Sequence, residues 1–303
     1  MNGTRPLRLV LFVEDSGGDW HARRLGRALE ARGAAVVTTT LKACAFDTRA
    51  PGGLDIPGFD GELPDGALVR SISVGGLEQI TFRLGILHAL RESGVRVWND
   101  ARAIERCVDK SAATFLFQKA GLPTPPTRVV EGQAGALAHA HAAAGPLVVK
   151  PLFGSQGNGL SRARTPEELP APESVGHIYY MQHYLRAPKA TLFEDWRVFV
   201  SSRRILAAMM RRASTWITNV HQGAEPVVHD PDEEMRRLAL AAVAAVGADY
   251  AGVDLIRGAD GRLMVLEINS NPAWKGLQSV SDVDIAGQLA EDFLAAVRHG
   301  QPR

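Results

Sequence analysis

Near the C-terminal end, the run LEINSNPAWKG (Leu266 to Gly276) places Glu267 and Asn269 two apart in an apolar stretch that Ser-Asn-Pro and a glycine then break. Strand side chains alternate between faces, so these two share one. Asp254 stands in the preceding apolar run, and the two runs flank an Asp-Gly pair, the strongest hairpin signal in the chain, so its carboxylate can join that face. Three oxygen-bearing side chains on one edge of an apolar hairpin are costly to bury unless something positive sits there. Hard oxygen donors suit Mg²⁺ or Mn²⁺ shared with a phosphate-bearing substrate. A strand end that simply faces solvent accounts for the same residues, and the triplet alone does not choose.

A second group points to phosphate. The loop GSQGNG, Gly154 to Gly159, directly follows the strand GPLVVKPLF with Lys150 inside it. Glycines let backbone N–H groups close over phosphate oxygens while a lysine supplies a point charge. The spacing is neither a Walker A loop nor GxGxxG, and by itself it also fits a polar β-turn. Lys110 follows Asp109 at a helix start, where exposed N–H groups attract anions; alone it reads as a solvated surface residue.

The elements that must position these groups change character along the chain. RLVLFV (8–13), a helix ending near Gly33, AAVVTTTL (34–41), ALVRSI, a helix over 78–92 and VRVWN alternate strand with helix, as a parallel sheet covered on both faces does. A polar, Gly/Pro-rich passage (47–65) separates the second strand from the third. A helix from Asp109 to Gly121 is followed by LPTPPT, whose prolines enforce an extended junction. An Ala-rich helix (134–144) then leads to the Lys150 strand. Later, IYYMQHYL and DWRVFVSSRRILAAMMRR read as strands, the latter a pair turning at 201–203. Asp230-Pro231 opens a long helix with proline at the first helical position, and a helix over 284–298 closes the chain.

The 303 residues, 46% hydrophobic, can bury more than one core. Lys plus Arg number 34 against 33 for Asp plus Glu, so no net field draws nucleic acid or an anionic membrane, and a pocket-type partner is expected. The N-terminal apolar run, 9–13, is too short for a secretory signal, no stretch reaches membrane-spanning length, and a cytoplasmic location is the default. Cys44 and Cys107 are far apart, without metal-ligand spacing, and read as reduced thiols. His139 and His141 read as surface histidines. Met209 and Met210 are expected to alternate between core and groove rather than form a metal box.

The order of parts is more specific than any one of them. Asp-Lys at a helix start, a Pro-rich link, a strand lysine, GSQGxG, a strand with Gln182, Asp-x-Arg, MxRR with a downstream Asn, Gly-x-Asp and Glu-x-Asn together resemble the ATP-grasp superfamily. The pattern is most similar to its RimK-type branch of α-L-glutamate ligases. The resemblance spans nearly the whole chain and takes in Arg70 of ALVRSI and Asn99 of VWND.

It implies an α/β protein, α+β in its C-terminal half, with the ATP-grasp fold. An N-terminal parallel α/β domain (1–100) would precede a central subdomain (101–185) carrying the glycine loop and a C-terminal subdomain (186–303) carrying the metal site. By the same resemblance, Lys110 and Lys150 contact ATP phosphates, and Ser155, Gln156 and Gly157 close over the triphosphate. Gln182, His183, Tyr184 and Leu185 line the adenine pocket. Asp254, Glu267 and Asn269 hold Mg²⁺ or Mn²⁺. Arg212 and Asn219 lie near the γ-phosphate and the reacting carboxylate, with Lys150 also catalytic. The implied reaction is ATP-dependent amide formation between an amino acid, L-glutamate first, and a carboxylate-bearing acceptor. A small cofactor precursor is favoured over a protein C-terminus, and a homo-oligomer is implied. A small-molecule kinase and an ATP-binding module without turnover are the rival readings; intact metal-ligand positions and both lysines weigh against the second.

Departures from the family pattern are His183 in place of a glutamate and Gln222 where an arginine is usual, the latter implying an altered acceptor or amino-acid pocket. Trp274 and Lys275 replace small residues beside the metal site, where Trp274 either contacts the acceptor or packs against the final helix.

Overall fold

The computed structural model describes residues 5–300 apart from 16, 18, 155, 156 and 186–190. The first part alternates strand and helix: β1 (Arg8–Phe12), α1 (Trp20–Glu30), β2 (Ala35–Thr39), the two-residue strands β3 (Ala45–Phe46) and β4 (Leu54–Asp55), β5 (Gly66–Val69), α2 (Leu77–Glu92) and β6 (Arg96–Trp98). The order β2-β1-β5-β6 is parallel throughout. Both faces are buried, one beneath α2 and the other beneath α1 and the last helix, which explains why its strands read as continuous apolar runs. The Gly/Pro-rich passage is more than a polar connection, because Leu54, Ile56 and Phe59 are fully buried against the sheet.

The middle part begins with α3 (Ala101–Val108), a helix the sequence reading left out, and α4 (Lys110–Lys119). Asp109 ends the first and caps the second, its carboxylate accepting from the N–H groups of Ser111 and Ala112 at 2.8 and 3.1 Å. Strand β7 (Thr127–Glu131), α5 (Gln133–Ala142), β8 (Leu147–Lys150), β9 (Ser161–Ala163) and β10 (Ile178–His183) follow. They form an antiparallel sheet, β7-β10-β8-β9, with α5 on one face.

The last part contains β11 (Phe193–Ser201), β12 (Arg204–Ala213), β13 (Glu225–Val228), α6 (Glu233–Val246), β14 (Tyr250–Arg257), β15 (Leu263–Asn269), α7 (Lys275–Gln278) and α8 (Ile285–Gly300). Its antiparallel sheet runs β13-β12-β11-β14-β15. The cap of α6 is Asp232, which accepts from Met235 N–H at 2.8 Å, so Pro231 lies outside the helix and not at its first position. Asn99 ties the parts together. Fully buried, it donates to the carbonyls of Tyr250 and Ser270 at 2.8 and 2.7 Å and accepts from the N–H groups of Asp249 and Tyr250.

Two bulges shape the five-stranded sheet. Ser201 pairs with Arg204 and Val200 with Ile205, but Phe199 pairs with Ala207, so Leu206 is an extra residue on β12. Likewise Leu255 pairs with Val265 while Asp254 pairs with Glu267, leaving Leu266 extra on β15. Each insertion turns the following side chains to the other face. Among the described residues no helix is long and apolar enough to cross a membrane. Both cysteines are buried and free, and burial pushes each thiol up to about 12, as suits packed rather than reactive thiols.

Candidate active site

Between the two antiparallel sheets lies about 870 Å³ of empty space, part of it continuous with solvent. The size suits a nucleotide-sized ligand. One wall comes from α4, β8 and β10. Lys150, at the end of β8, is 5% exposed, and its Nζ lies 5.7 Å from the centre of the Tyr180 ring. Burial lowers its pKa, and Lys110 adds to this, while the charge of Glu267 opposes it. Lys110 reaches across from the start of α4 to donate to the carbonyls of Leu152 and Gly154 at 3.2 and 2.9 Å, clasping the glycine loop. Its pKa is lowered by burial too, against Glu267 and Asp109.

The loop itself rests on the segment 217–222. Gly157 has φ +74°, and a Cβ there would meet Asn219 Oδ1 at 2.6 Å and Gln222 Nε2 at 2.7 Å. Only glycine satisfies both the conformation and the close approach. Ser155 and Gln156 lie outside the described residues. Gln182, His183, Tyr184 and Leu185 line the cavity. Gln182 Nε2 donates to Thr127 Oγ1 at 3.1 Å, while the Tyr184 ring stands edge-on to Trp216. The half-buried His139 packs against His183, with ring centroids 6.4 Å apart, so it is not the surface histidine expected. Its pKa is lowered by burial and by the neighbouring Arg128 and His183.

The opposite wall is the five-stranded sheet, and its register sets a row of charges. Asp195 pairs with Arg211, Arg197 with Asp254, and Asp254 with Glu267. Arg211 makes two 2.6 Å bonds to Asp195 and reaches Asp254 at 2.9 Å; Arg197 makes two 2.7 Å bonds to Asp254; Thr218 donates to Asp195 at 2.6 Å. Burial pushes the Asp254 carboxyl up, but the two guanidiniums outweigh it and hold it below the usual range. Asp195, held by one arginine and repelled by Asp254, is raised by burial. Glu267 forms no salt bridge with any described residue, and Asn269 Nδ2 lies 3.4 Å from its Oε1. Among the described residues no three His, Cys, Asp or Glu side chains cluster as a ready-made metal cage.

Asn219 lines the cavity. Arg212 faces the other way, donating to Glu194 at 2.9 Å, and the arginine presented to the cavity is its neighbour Arg211. Asp195, Arg211, Trp216 and Thr218 also line the space, although the sequence reading singled out none of them as a site residue. Asp-x-Arg at 195–197 was the available signal for a polar face on β11, but what it pairs with depends on register. Trp274 is fully buried against Trp20, His21 and Phe199, which resolves it as a core residue. Met209 is buried in that same core, while Met210 packs against the core of the other face.

Two antiparallel sheets enclosing a lysine-lined cleft behind a parallel α/β domain define an ATP-grasp protein. Residues 107–293, more than half of the chain, match the family described as the RimK-like ATP-grasp domain, and the protein belongs to that family. It is 37% identical over 234 residues to the tetrahydromethanopterin:α-L-glutamate ligase of Methanococcus maripaludis, covering 75% of this chain and 78% of that one. It is 30% identical over 247 residues to a probable α-L-glutamate ligase of Legionella pneumophila, covering 79% and 78%. The fold is similar to that of the ATP-grasp ligase PsnB complexed with a minimal precursor, with a TM-score of 0.73 at 20% identity over 97% of this chain and 100% of that one. The protein is an ATP-grasp ligase of the glutamate-ligase kind.

Proposed function

We propose that the enzyme uses ATP to activate a substrate carboxylate and joins it to the amine of an amino acid, L-glutamate in the first instance, with a small carboxylate-bearing molecule as acceptor. The observation that carries this reading is the pairing of the buried Lys150 and the half-buried Lys110, neither in a salt bridge with a described residue, on one wall with Asp254 and Glu267 on the other, Asn269 standing next to Glu267. The carboxylate oxygen attacks the γ-phosphorus, the bond to the β–γ bridging oxygen breaks, and ADP leaves an acyl phosphate. The amine nitrogen then attacks the acyl carbon, phosphate departs with the bonding pair, and the nitrogen loses a proton as the amide forms.

Lys110 and Lys150 neutralise the triphosphate, and Lys110 couples that contact to the glycine loop it clasps. Gln182 to Leu185 receive the base. Arg211, held rigid by Asp195, takes the place at the transferring phosphoryl group for which Arg212 points the wrong way, with Asn219 beside it. The donor chemistry fits a hard divalent ion: Glu267 forms no salt bridge with a described residue, feeling only the charges of Lys110 and Lys150 across the cleft, and Asn269 stands next to it, while Asp254 would share its oxygens with two arginines. Mg²⁺ held there would screen phosphate charge and polarise the γ-phosphoryl group.

The test is product analysis. Protein, ATP and Mg²⁺ are incubated with single amino acids against a panel of carboxylates. ADP and phosphate released only when an amino acid and one acceptor are both present support the ligase. A phosphorylated product without need of an amine would make it a kinase and sink this reading.

A further inference from the structure

The corner where the parallel sheet meets the end of β15 holds a cation that the nucleotide cavity does not use. In the order β2-β1-β5-β6 the chain leaves β1 and β5 towards opposite sides, so the crevice beyond their C-terminal ends is the topological switch point, where α/β sheets bind ligands. Arg70 is the first residue past β5, anchored by its N–H donating to the Phe12 carbonyl at 2.8 Å. Its guanidinium carbon lies 4.7 Å from the centre of the Trp274 ring. Its Nε and Nη1, both shielded from solvent, have no hydrogen-bond acceptor among the described residues, and neither has the Trp274 Nε1.

The nearby carboxylates are already engaged. Asp19 caps α1 through Ala22 N–H at 2.8 Å and accepts from His21 Nδ1 at 2.9 Å; Glu14 bonds Ser71 and faces Lys42. Trp274, five residues beyond Asn269, is fixed from the same side. His21 Nε2 accepts from its N–H at 3.1 Å and from that of Lys275 at 3.3 Å, and Lys275 is exposed. Tyr250 Oη donates to the Val69 carbonyl at 2.7 Å, so the end of β5 and the hairpin that carries Asp254 and Glu267 are held as one body. The loop after Arg70 is rigid as well: the buried Arg83 donates to the carbonyls of Ile72, Ser73 and Val74, and Ser73 is held at φ +60°.

Arg70 also interacts with the Tyr250 hydroxyl and with the charge of Asp19, but two guanidinium nitrogens shielded from water without an acceptor are expensive, and a carboxylate is the group that repays them most fully. We propose that Arg70 binds a carboxylate of one of the two organic substrates, the one not being activated. It holds that substrate between the parallel sheet and the end of β15, so that selection for an acidic substrate is made by the N-terminal part of the chain. The proposal rests on the ligase reading for the identity of the ligand, but its test does not depend on turnover.

The test uses Arg70→Met, which keeps an apolar stem against Trp274, and Arg70→Lys, with thermal unfolding measured alongside. Direct binding of L-glutamate, glutarate and L-glutamine to protein saturated with ADP and Mg²⁺ should show the wild type preferring the carboxylates over the carboxamide. Arg70→Met should lose about tenfold to a hundredfold in carboxylate affinity and with it the preference, and Arg70→Lys should retain part of both. In turnover, a rise confined to the amino-acid KM assigns the subsite to the amine substrate, and one confined to the acceptor KM assigns it to the acceptor; the ATP KM stays unchanged in either case. No turnover by the wild type with any pair, together with the binding loss in Arg70→Met, would refute the ligase reading and leave the subsite standing. Unchanged binding and preference in Arg70→Met together with unchanged amino-acid and acceptor KM, with or without a lower unfolding temperature, would make Arg70 a structural strut and overturn the proposal.

Discussion

The two walls of the nucleotide cleft carry charge in opposite ways. On the β8–β10 side, Lys150 is buried against an aromatic ring with no salt bridge to a described residue, and Lys110 holds backbone carbonyls. On the β11–β15 side, Arg197, Arg211, Asp195 and Asp254 neutralise one another through bonds of 2.6 to 2.9 Å, while Glu267 at the end of the row forms no salt bridge with a described residue. The first wall stores unmet charge that an incoming polyanion relieves. The second spends its charge internally and gains rigidity. A cleft built this way attracts its ligand with one face and orients it with the other.

The largest effect should come from breaking the paired wall. Arg211→Met leaves two buried carboxylates sharing only Arg197 and Thr218, and should cost about 3–5 kcal/mol of stability in denaturant unfolding. A loss below about 1 kcal/mol would show that the row is not a coupled unit.

The unpaired wall should behave in the reverse way. Lys150→Met should lower turnover by about two to three orders of magnitude while leaving the protein as stable as the wild type or more so. Because burial lowers the lysine pKa in the folded state, its charge is a penalty at neutral pH that fades as pH rises towards the ordinary lysine range. The stability gap between variant and wild type should therefore narrow with rising pH, and a variant that unfolds more easily at neutral pH would contradict the contrast.

A smaller effect belongs to the joint between the walls. Gly157→Val meets both a left-handed φ and the side chains of Asn219 and Gln222, so the ATP KM should rise about tenfold, or about 1.4 kcal/mol, with the fold intact in circular dichroism. Least affected should be His183→Glu, which restores the usual family residue at the edge of the cavity. A change in ATP KM of no more than about threefold is expected, and a larger one would give His183 a greater part in holding the nucleotide.

Much of this was legible because it is local. The apolar runs of β1 and β8, the Asp109 cap, the glycine loop and the hairpin ending in Glu267 and Asn269 each need only neighbours in sequence. Helix α3 was missed because it abuts α4 with Asp109 shared between them, so no loop separates the two. The burial of Trp274 depends on α1 and β11, some 250 and 75 residues away in sequence, and no nearby residue announces it.

The chain's order of motifs determined by itself that it is an ATP-grasp ligase and which segments meet at the cleft. It did not determine which side chains of those segments face inward. Carried straight on from the turn at Ser202, the β11–β12 pairing would put Arg212 on the face of Asp195; the extra Leu206 puts Arg211 there instead. Carried straight on from its own turn, the β14–β15 pairing would send Glu267 to the face opposite Asp254; the extra Leu266 brings them together. Facing in a strand has a period of two, so one inserted residue reverses everything beyond it, and each leucine is apolar like the paired residue before it, Ile205 or Val265. Only the packed sheet decides where the insertion falls.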